Sequence, residues 1–432
     1  MKRPDAMAEK EKTQQSPIAI RCTVNRAYLK ANAGSAVFVA VDVKASAPPA
    51  QPNRMNVTLA IDSSGSMDGE KMEQAKASAS GLIKQLKPTD QISIVSFSDT
   101  VKVELPTSPV ADSRAAEAAI KAISVRGLTA MYAGLEFAFN EARQTSRQPG
   151  TVNRVLLLTD GMPTVGKTTE VDFKRLAQAM RDSGITITSI GIGNDYNESL
   201  LTQMAQAGGG LWHHIKDARR DLPQIFKEQV SQMAATILTN PELKVSMMPG
   251  AELADAYNVK PMLTRMARPR VNEGAFSVPL RDLISGQEQN VVFRIGVSAR
   301  PKGKSTLLRV ALKEVAQEVV VTFTEDPKLW NGETNPYPRV LLSSAEATVL
   351  MQSAIRGQEG AALKKSEAIM KTIAADPAAA AAARANPVLT DVVTTVQEAQ
   401  TTVARTGLNL SEGARKDLLQ ETVIIRSKKP RR

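Results

Sequence analysis

The chain has 432 residues, 42% hydrophobic and 23% charged, a balance typical of globular domains that bury real cores. Lys and Arg number 55 against 44 Asp and Glu, giving a formal charge of +11, and Arg426, Lys428, Lys429, Arg431 and Arg432 fall in the last seven positions. A single cysteine, Cys22, excludes an internal disulfide and any all-cysteine metal site, and reads as a buried thiol. The two histidines, His213 and His214, are neighbours that a strand would point to opposite faces, which speaks against a histidine-based zinc site.

Residues 1–16 are polar and charged and read as a disordered N-terminus, and the basic tail 426–432 reads as a solvated end rather than a nucleic-acid contact. No apolar stretch approaches the ~18 residues of a membrane helix, so a cytoplasmic protein with no membrane span is expected. Two β-type runs come first, IAIRCTVNRAYL (18–29) and SAVFVAVDVKAS (35–46), with no helix between them. From Asn56 the pattern changes to alternation of short apolar runs with helical periodicity. Strands are predicted at 56–62, 91–97, 101–105, 154–160, 185–193 and 211–215, and helices at 69–86, 113–123, 131–143, 170–182, 198–206 and about 222–238. Such alternation argues for an α/β fold, a doubly wound and mostly parallel sheet with helices on both faces.

After Asn240, β-type runs resume without helical crossovers at 243–248, 275–280, 290–299, 305–315 and 318–324. They predict an antiparallel sandwich formed by residues 17–50 and 241–325, into which the α/β domain, 54–240, is inserted. Beyond the turn-rich 326–338, helical patterns at 343–356, 360–375, 377–385 and 388–405 predict a C-terminal helical segment spanning 340–422.

The chemistry concentrates on strand ends. Asp62-Ser63-Ser64-Gly65-Ser66 follows the first α/β strand as an Asp-x-Ser-x-Ser pattern, Gly127-Leu128-Thr129 lies between two helices, and Asp160 ends the strand RVLLLTD. In a parallel sheet these loops share the edge where ligands bind. Two carboxylates and three hydroxyls, with no nitrogen or sulfur ligand, suit a hard cation: Mg²⁺ first, Mn²⁺ or Ca²⁺ next. Taken singly, Asp62 and Asp160 could be helix caps, and Ser64, Ser66 and Thr129 turn residues.

One motif competes with that reading. Gly161 to Thr168 fits the phosphate-cradling G-x-x-x-x-G-K-[ST] pattern, with a strand before it and a helix after it, and makes a nucleotide-binding or nucleotide-hydrolysing protein the alternative. Against it, Pro163 removes a backbone donor from the cradle, and Asp160 would stand beside the phosphates as a like charge. Gly161 reads instead as the residue that turns the chain away after Asp160, and Lys167 as a solvated loop lysine.

The blocks DSSGSMDGEKMEQAK, GLTAMYAGL, RVLLLTDGMPTVG and ITSIGIGNDYNESLLTQMAQAGGG together resemble the landmarks of a von Willebrand factor A (VWA) domain, a Rossmann-like fold, over about residues 54–240. The resemblance extends to the bacterial branch similar to calcium-activated chloride channel proteins. It implies a metal ion-dependent adhesion site formed by Asp62, Ser64, Ser66, Thr129 and Asp160, and a non-enzymatic, Mg²⁺-dependent module that recruits an Asp or Glu carboxylate of a partner protein. An AAA+ ATPase is one kind of partner the family implies. Leu128 departs from the pattern, standing where relatives often have a second glycine.

Overall fold

The computed structural model describes residues 16–425 except 50, 112, 147, 268–270 and 273. The ends expected to be disordered and solvated, residues 1–15 and the basic tail 426–432, lie outside the described residues. Strands β1 (Ile18–Val24), β2 (Tyr28–Lys30) and β3 (Ser35–Ala45) precede the α/β region, so the run 18–29 is two strands rather than one. The α/β region then runs β4 (Arg54–Asp62), α1 (Glu70–Ile83), β5 (Gln91–Phe97), β6 (Val101–Pro109), α2 (Ser113–Ala122) and α3 (Met131–Arg143). It continues through β7 (Thr151–Thr159), α4 (Glu170–Asp182), β8 (Ile185–Ile192), α5 (Glu198–Ala207), β9 (Gly209–Ile215) and α6 (Ala218–Ala234).

These six strands form one sheet in the order β6-β5-β4-β7-β8-β9, parallel except for the edge strand β6. Every residue of β8 is buried, as the two covered faces of a parallel sheet require. Pro106 and Pro109 are accommodated in β6 because it is an edge strand. One face packs on α1, α2 and α6 through Met72, Leu82, Ile120 and Phe226, and the other on α3, α4 and α5 through Leu135, Phe173 and Leu201. The last helix ends at Ala234, not Leu238: Thr236–Leu238 is extended, with two β-branched residues among three, and forms strand β10.

The chain continues as β11 (Glu242–Met247), β12 (Ala251–Lys260), β13 (Thr264–Arg265), β14 (Ala275–Pro279), β15 (Leu283–Ile284), β16 (Glu288–Val297), β17 (Gly303–Leu312) and β18 (Val315–Thr324). Two five-stranded sheets result, β1-β3-β16-β12-β13 and β14-β11-β17-β18-β2. Each combines strands from before and after the α/β region, and Val39, Phe293, Val245 and Val310 join them in one apolar core. In this sandwich Cys22 is half-buried rather than buried, and burial pushes its thiol up to about 12.

Helices α7 (Pro327–Trp330), α8 (Pro336–Gly357), α9 (Gly360–Ala375), α10 (Pro377–Ala385), α11 (Pro387–Thr406) and α12 (Glu412–Val423) complete the molecule. Proline at the start of α8, α10 and α11 follows Asn335, Asp376 and Asn386, whose side chains accept from the first free backbone N–H groups. The C-terminal helices do not stand apart: Met351, Ile355, Val403, Leu418 and Leu419 enter the core on the α3–α5 face of the parallel sheet. Among the described residues, no helix is long and apolar enough to cross a membrane.

Candidate metal centre

The order of the parallel sheet reverses between β4 and β7, and a doubly wound sheet leaves a crevice at the carboxyl ends of such a strand pair. Asp62 is the last residue of β4, and Asp160 follows β7 directly. The loop after β4 is drawn over the strand ends by Ser63 N–H, which donates to Phe97 O at 2.7 Å, and then tightens into a 3₁₀ turn, Gly65–Met67. The threonine loop is tied to it twice: Arg126 N–H donates to Ser63 O at 2.8 Å and Gly65 N–H to Gly127 O at 3.1 Å. Gly127 is required there, since its φ is +61° and a Cβ would overlap the Asp99 carboxylate.

These ties bring the five residues together. Asp62 Oδ1 accepts from Ser64 N–H at 2.9 Å, and Oδ2 accepts from Thr159 Oγ1 at 2.6 Å. Ser66 Oγ donates to Asp160 Oδ1 at 2.6 Å and lies 3.2 Å from Ser64 Oγ. Gly161 sits against two of the hydroxyls: a Cβ there would lie 3.5 Å from Ser66 Oγ and 3.6 Å from Thr129 Oγ1. Its φ is not positive, so no left-handed turn requires glycine here, and a Cβ at this position would make ordinary contact with the two hydroxyls.

The electrostatics are unusual for a solvent-facing loop cluster. Asp62 and Asp160 are both 0% exposed, whereas Ser66 is exposed, so two buried carboxylates lie behind a hydroxyl at the mouth. Burial holds the Asp62 carboxyl above its ordinary range, hydrogen bonds from Thr159 and Ser64 oppose this, and the Asp160 charge adds to the rise. Lys71, in the first turn of α1, is the positive group at the site: its Nζ pairs with Asp160 Oδ2 and donates to Ser66 O at 3.2 Å. Two carboxylates against one ammonium leave negative charge uncompensated, and the remaining donors are hydroxyl oxygens. That set fits a small hard cation and offers nothing to a soft metal. No histidine or cysteine belongs to it, and among the described residues no group of three or more His, Cys, Asp or Glu is placed to hold a metal ion.

The phosphate-loop alternative fares differently. The backbone N–H groups of Thr164 and Val165 both donate to Thr129 O, at 2.9 and 3.2 Å, and are not free to hold phosphate. Lys167 points to Tyr132, 3.3 Å from its hydroxyl and 4.4 Å from the ring centroid. Helix α4 begins only at Glu170, capped by Thr169.

Sequence reasoning missed several participants. Thr159 is the last residue of β7 and reads as one more buried strand position, and Lys71 reads as one of many helix-surface lysines. Leu128, just before Thr129, and Met162, two residues after Asp160, are 58% and 48% exposed and put apolar side chains on the loops that carry the site. Met67 and Met131 do not join them, since both are buried.

Residues 56–228 match the family model of the von Willebrand factor type A domain. The chain carries a VWA domain. It is 28% identical to an uncharacterized protein of Synechocystis over 60% of this chain and 61% of that one. It is 30% identical to the uncharacterized protein YfbK of Escherichia coli over 45% of this chain and 34% of that one. A further match is inter-alpha-trypsin inhibitor heavy chain H4 of Bos taurus, 28% identical over 42% of this chain and 21% of that one. The chain thus covers less than two thirds of the length of each of these relatives.

Among solved structures, a von Willebrand factor type A protein from Catenulispora acidiphila superposes with a TM-score of 0.73 at 19% identity, covering 94% of this chain and 97% of that one. The ArnB paralog VWA2 from Sulfolobus acidocaldarius gives 0.61 at 18% identity, with the same coverage. At these identities the likeness is one of fold. It extends past the VWA domain to the extra strands and C-terminal helices. None of the named relatives is a chloride-channel protein, and that branch of the family has no support from them. VWA domains are generally non-enzymatic interaction modules and often work through a metal ion-dependent adhesion site.

Proposed function

We propose that the protein is a non-enzymatic, Mg²⁺-dependent protein-binding module. Asp62, Ser64, Ser66, Thr129 and Asp160 hold the cation, and the cation takes an Asp or Glu carboxylate of a partner protein as its last ligand. The observation that carries this reading is the pair of fully buried carboxylates behind an exposed serine at the switch point of the sheet. Hydroxyl ligands leave the ion's positive charge poorly neutralised, so an outside carboxylate is an attractive ligand. Exposed Leu128 and Met162 beside the site supply apolar contact of the kind that sits at the centre of protein interfaces. Mn²⁺ or Ca²⁺ can replace Mg²⁺ in such an oxygen set. In this reading residues 54–240 are the adhesion unit, held by a sandwich of residues 17–50 and 241–325 and a helical segment, 340–422, in the cytoplasm. An AAA+ ATPase is one partner of suitable kind.

In this reading Ser64, Ser66 and Asp160 serve the cation as ligands, so the hydrogen bond from Ser66 to Asp160 organises the ligand set rather than activating a nucleophile. Thermal unfolding of the intact protein with MgCl₂ and then with ATP separates the two functions. Mg²⁺ alone is expected to stabilise the wild type by RT ln(1 + [L]/Kd) and to do nothing for Asp62→Ala. Stabilisation by ATP that is lost in Lys167→Ala would overturn the proposal. Affinity capture with and without EDTA then identifies the partner.

A further inference from the structure

A second feature lies away from the cation site, where the VWA domain meets the sandwich. A cavity of about 490 Å³ opens between α4, α5, β12, β13 and β14. Its charged lining consists of Lys174, Arg181, Lys260, Arg265 and Arg281, with no Asp or Glu among the described residues that line it. Amide side chains complete the wall, Gln178 and Gln203 from the VWA helices and Asn258 and Gln289 from the sandwich.

Two of the cations already have partners. Lys260 pairs with Asp391 at 2.5 Å, and Arg265 makes a two-point contact with Asp255. Arg181 and Arg281 are different. Arg181 is 7% exposed, and its Nη2 donates to a neutral acceptor, Leu280 O, at 2.5 Å. Arg281 donates from Nη2 to the thioether of Met262, a weak acceptor, while its Nη1 is buried with no hydrogen-bond partner. The carboxylate nearest in sequence, Asp282, is committed elsewhere: it receives Arg154 Nη2 at 2.7 Å, Asn240 N–H at 3.0 Å and Thr186 Oγ1 at 3.2 Å. Arg154 and Arg181 are buried and Arg281 is half-buried, and Asp282 is the one buried carboxylate acting on them, with the exposed Glu242 and Asp182 adding charge near Arg181 from outside the cavity.

Burying charge without a partner is costly, and a donor left unpaired adds to the cost. Burial and the neighbouring Arg181 bring the Arg281 guanidinium down to about 9, which still leaves it charged at neutral pH. We infer that this cavity is a binding site for a small dianionic oxyanion, a phosphate or phosphate monoester, held by Arg281 and Arg181 with Lys174 at the entrance. The arginine forks match phosphate oxygens geometrically, a dianion supplies the negative charge that the cavity lining lacks, and the volume suits a small phosphorylated molecule. Because the walls come from both the VWA domain and the sandwich, the bound anion fixes the two against each other.

The test is isothermal titration calorimetry of the full chain with inorganic phosphate at constant ionic strength, in EDTA so that the cation site plays no part. Saturable one-site binding is expected, weakened at least tenfold in Arg281→Met and unchanged in Asp62→Ala. Lys174→Glu, a substitution on an exposed helix face, is expected to weaken it severalfold, and carries the test if Arg281→Met does not fold. A sugar phosphate titrated in parallel separates the sources: tighter binding than phosphate identifies an ester ligand, equal binding the free ion. Absence of saturable phosphate binding in the wild type, or unchanged affinity in Lys174→Glu together with any folded Arg281→Met, overturns the inference.

Discussion

Lys71 offers the sharpest test of the cation site, because its ammonium stands on a carboxylate that the cation is proposed to share. Asp160 is fully buried, with Ser66 Oγ on Oδ1 and Lys71 Nζ on Oδ2. Removing one partner of a buried ion pair costs about 3–5 kcal/mol. The Lys71 side chain keeps 35% of its surface exposed, so solvent screens the pair and the cost of Lys71→Met falls to about 2 kcal/mol. That cost belongs to the metal-free protein. With Mg²⁺ bound, the cation compensates Asp160, and the variant should recover to within about 0.5 kcal/mol of the wild type. The difference, about 1.5 kcal/mol, corresponds to roughly tenfold tighter apparent Mg²⁺ binding in Lys71→Met. Urea unfolding followed by tryptophan fluorescence, across an MgCl₂ titration of both proteins, measures the two quantities directly. Equal Mg²⁺-dependent stabilisation in wild type and variant would mean that Lys71 and the cation do not compete, and Asp160 would lose its place as a ligand.

Two buried titratable groups give further tests. Lys416 of α12 is fully buried and donates to Asn194 O at 2.5 Å and Tyr196 O at 2.8 Å, so Lys416→Met leaves two carbonyls unpaired; a loss of about 2 kcal/mol and faster hydrogen exchange over residues 193–197 are expected, and unchanged exchange would show the contact to be idle. His214 is held below its ordinary 6.5, chiefly by burial and further by Lys416 and Lys216, with Asp417 and Asp221 opposing. The unfolded chain therefore binds the proton first, so the contribution of neutral His214 to stability is complete above pH 6.5 and is lost as pH falls below it. A stability–pH profile should show that loss, and His214→Asn should flatten it.

The parts of the molecule legible in the sequence are those where local pattern and tertiary role agree. The apolar runs at 91–97 and 185–192 become strands because a doubly covered parallel sheet wants both faces apolar. Asp62, Ser64 and Ser66 stand out because a strand end followed by small hydroxylic residues is itself a local feature. β12 was hidden by its composition: AELADAYNVK carries alanines and acidic residues of low strand propensity, and its tertiary pairing with β16 overrides this. α12 was hidden because EGARKDLLQETV has too few apolar positions for a clear stripe and buries a lysine in place of one. α8 starts seven residues earlier than its periodic part, at the Asn335-Pro336 cap. Lys71 and Arg281 could not be found from spacing at all, since each acquires its meaning from a residue on a different element.

The C-terminal helices bear on the cation site through the same edge of the sheet. Asn194 and Tyr196 lie in the loop after β8, and β8 is the neighbour of β7, whose end carries Asp160. Lys416 clasps that loop, and Gly413 of the same helix is so close to Asn194 that a Cβ there would lie 2.8 Å from Asn194 Oδ1. Gly193, at the start of the loop, has φ +71° and faces Lys71, whose Nζ would be 4.0 Å from a Cβ at that glycine. One side of the candidate cation site is therefore a loop whose position depends on a helix far outside the matched domain. A chain ending near residue 240 would lose the two carbonyl bonds of Lys416 and the apolar cover of Leu418 and Leu419, exposing that edge. On the proposed reading, a partner carboxylate approaching the cation would do so beside the loop that α12 holds, so that Lys416→Met would weaken partner capture as well as stability.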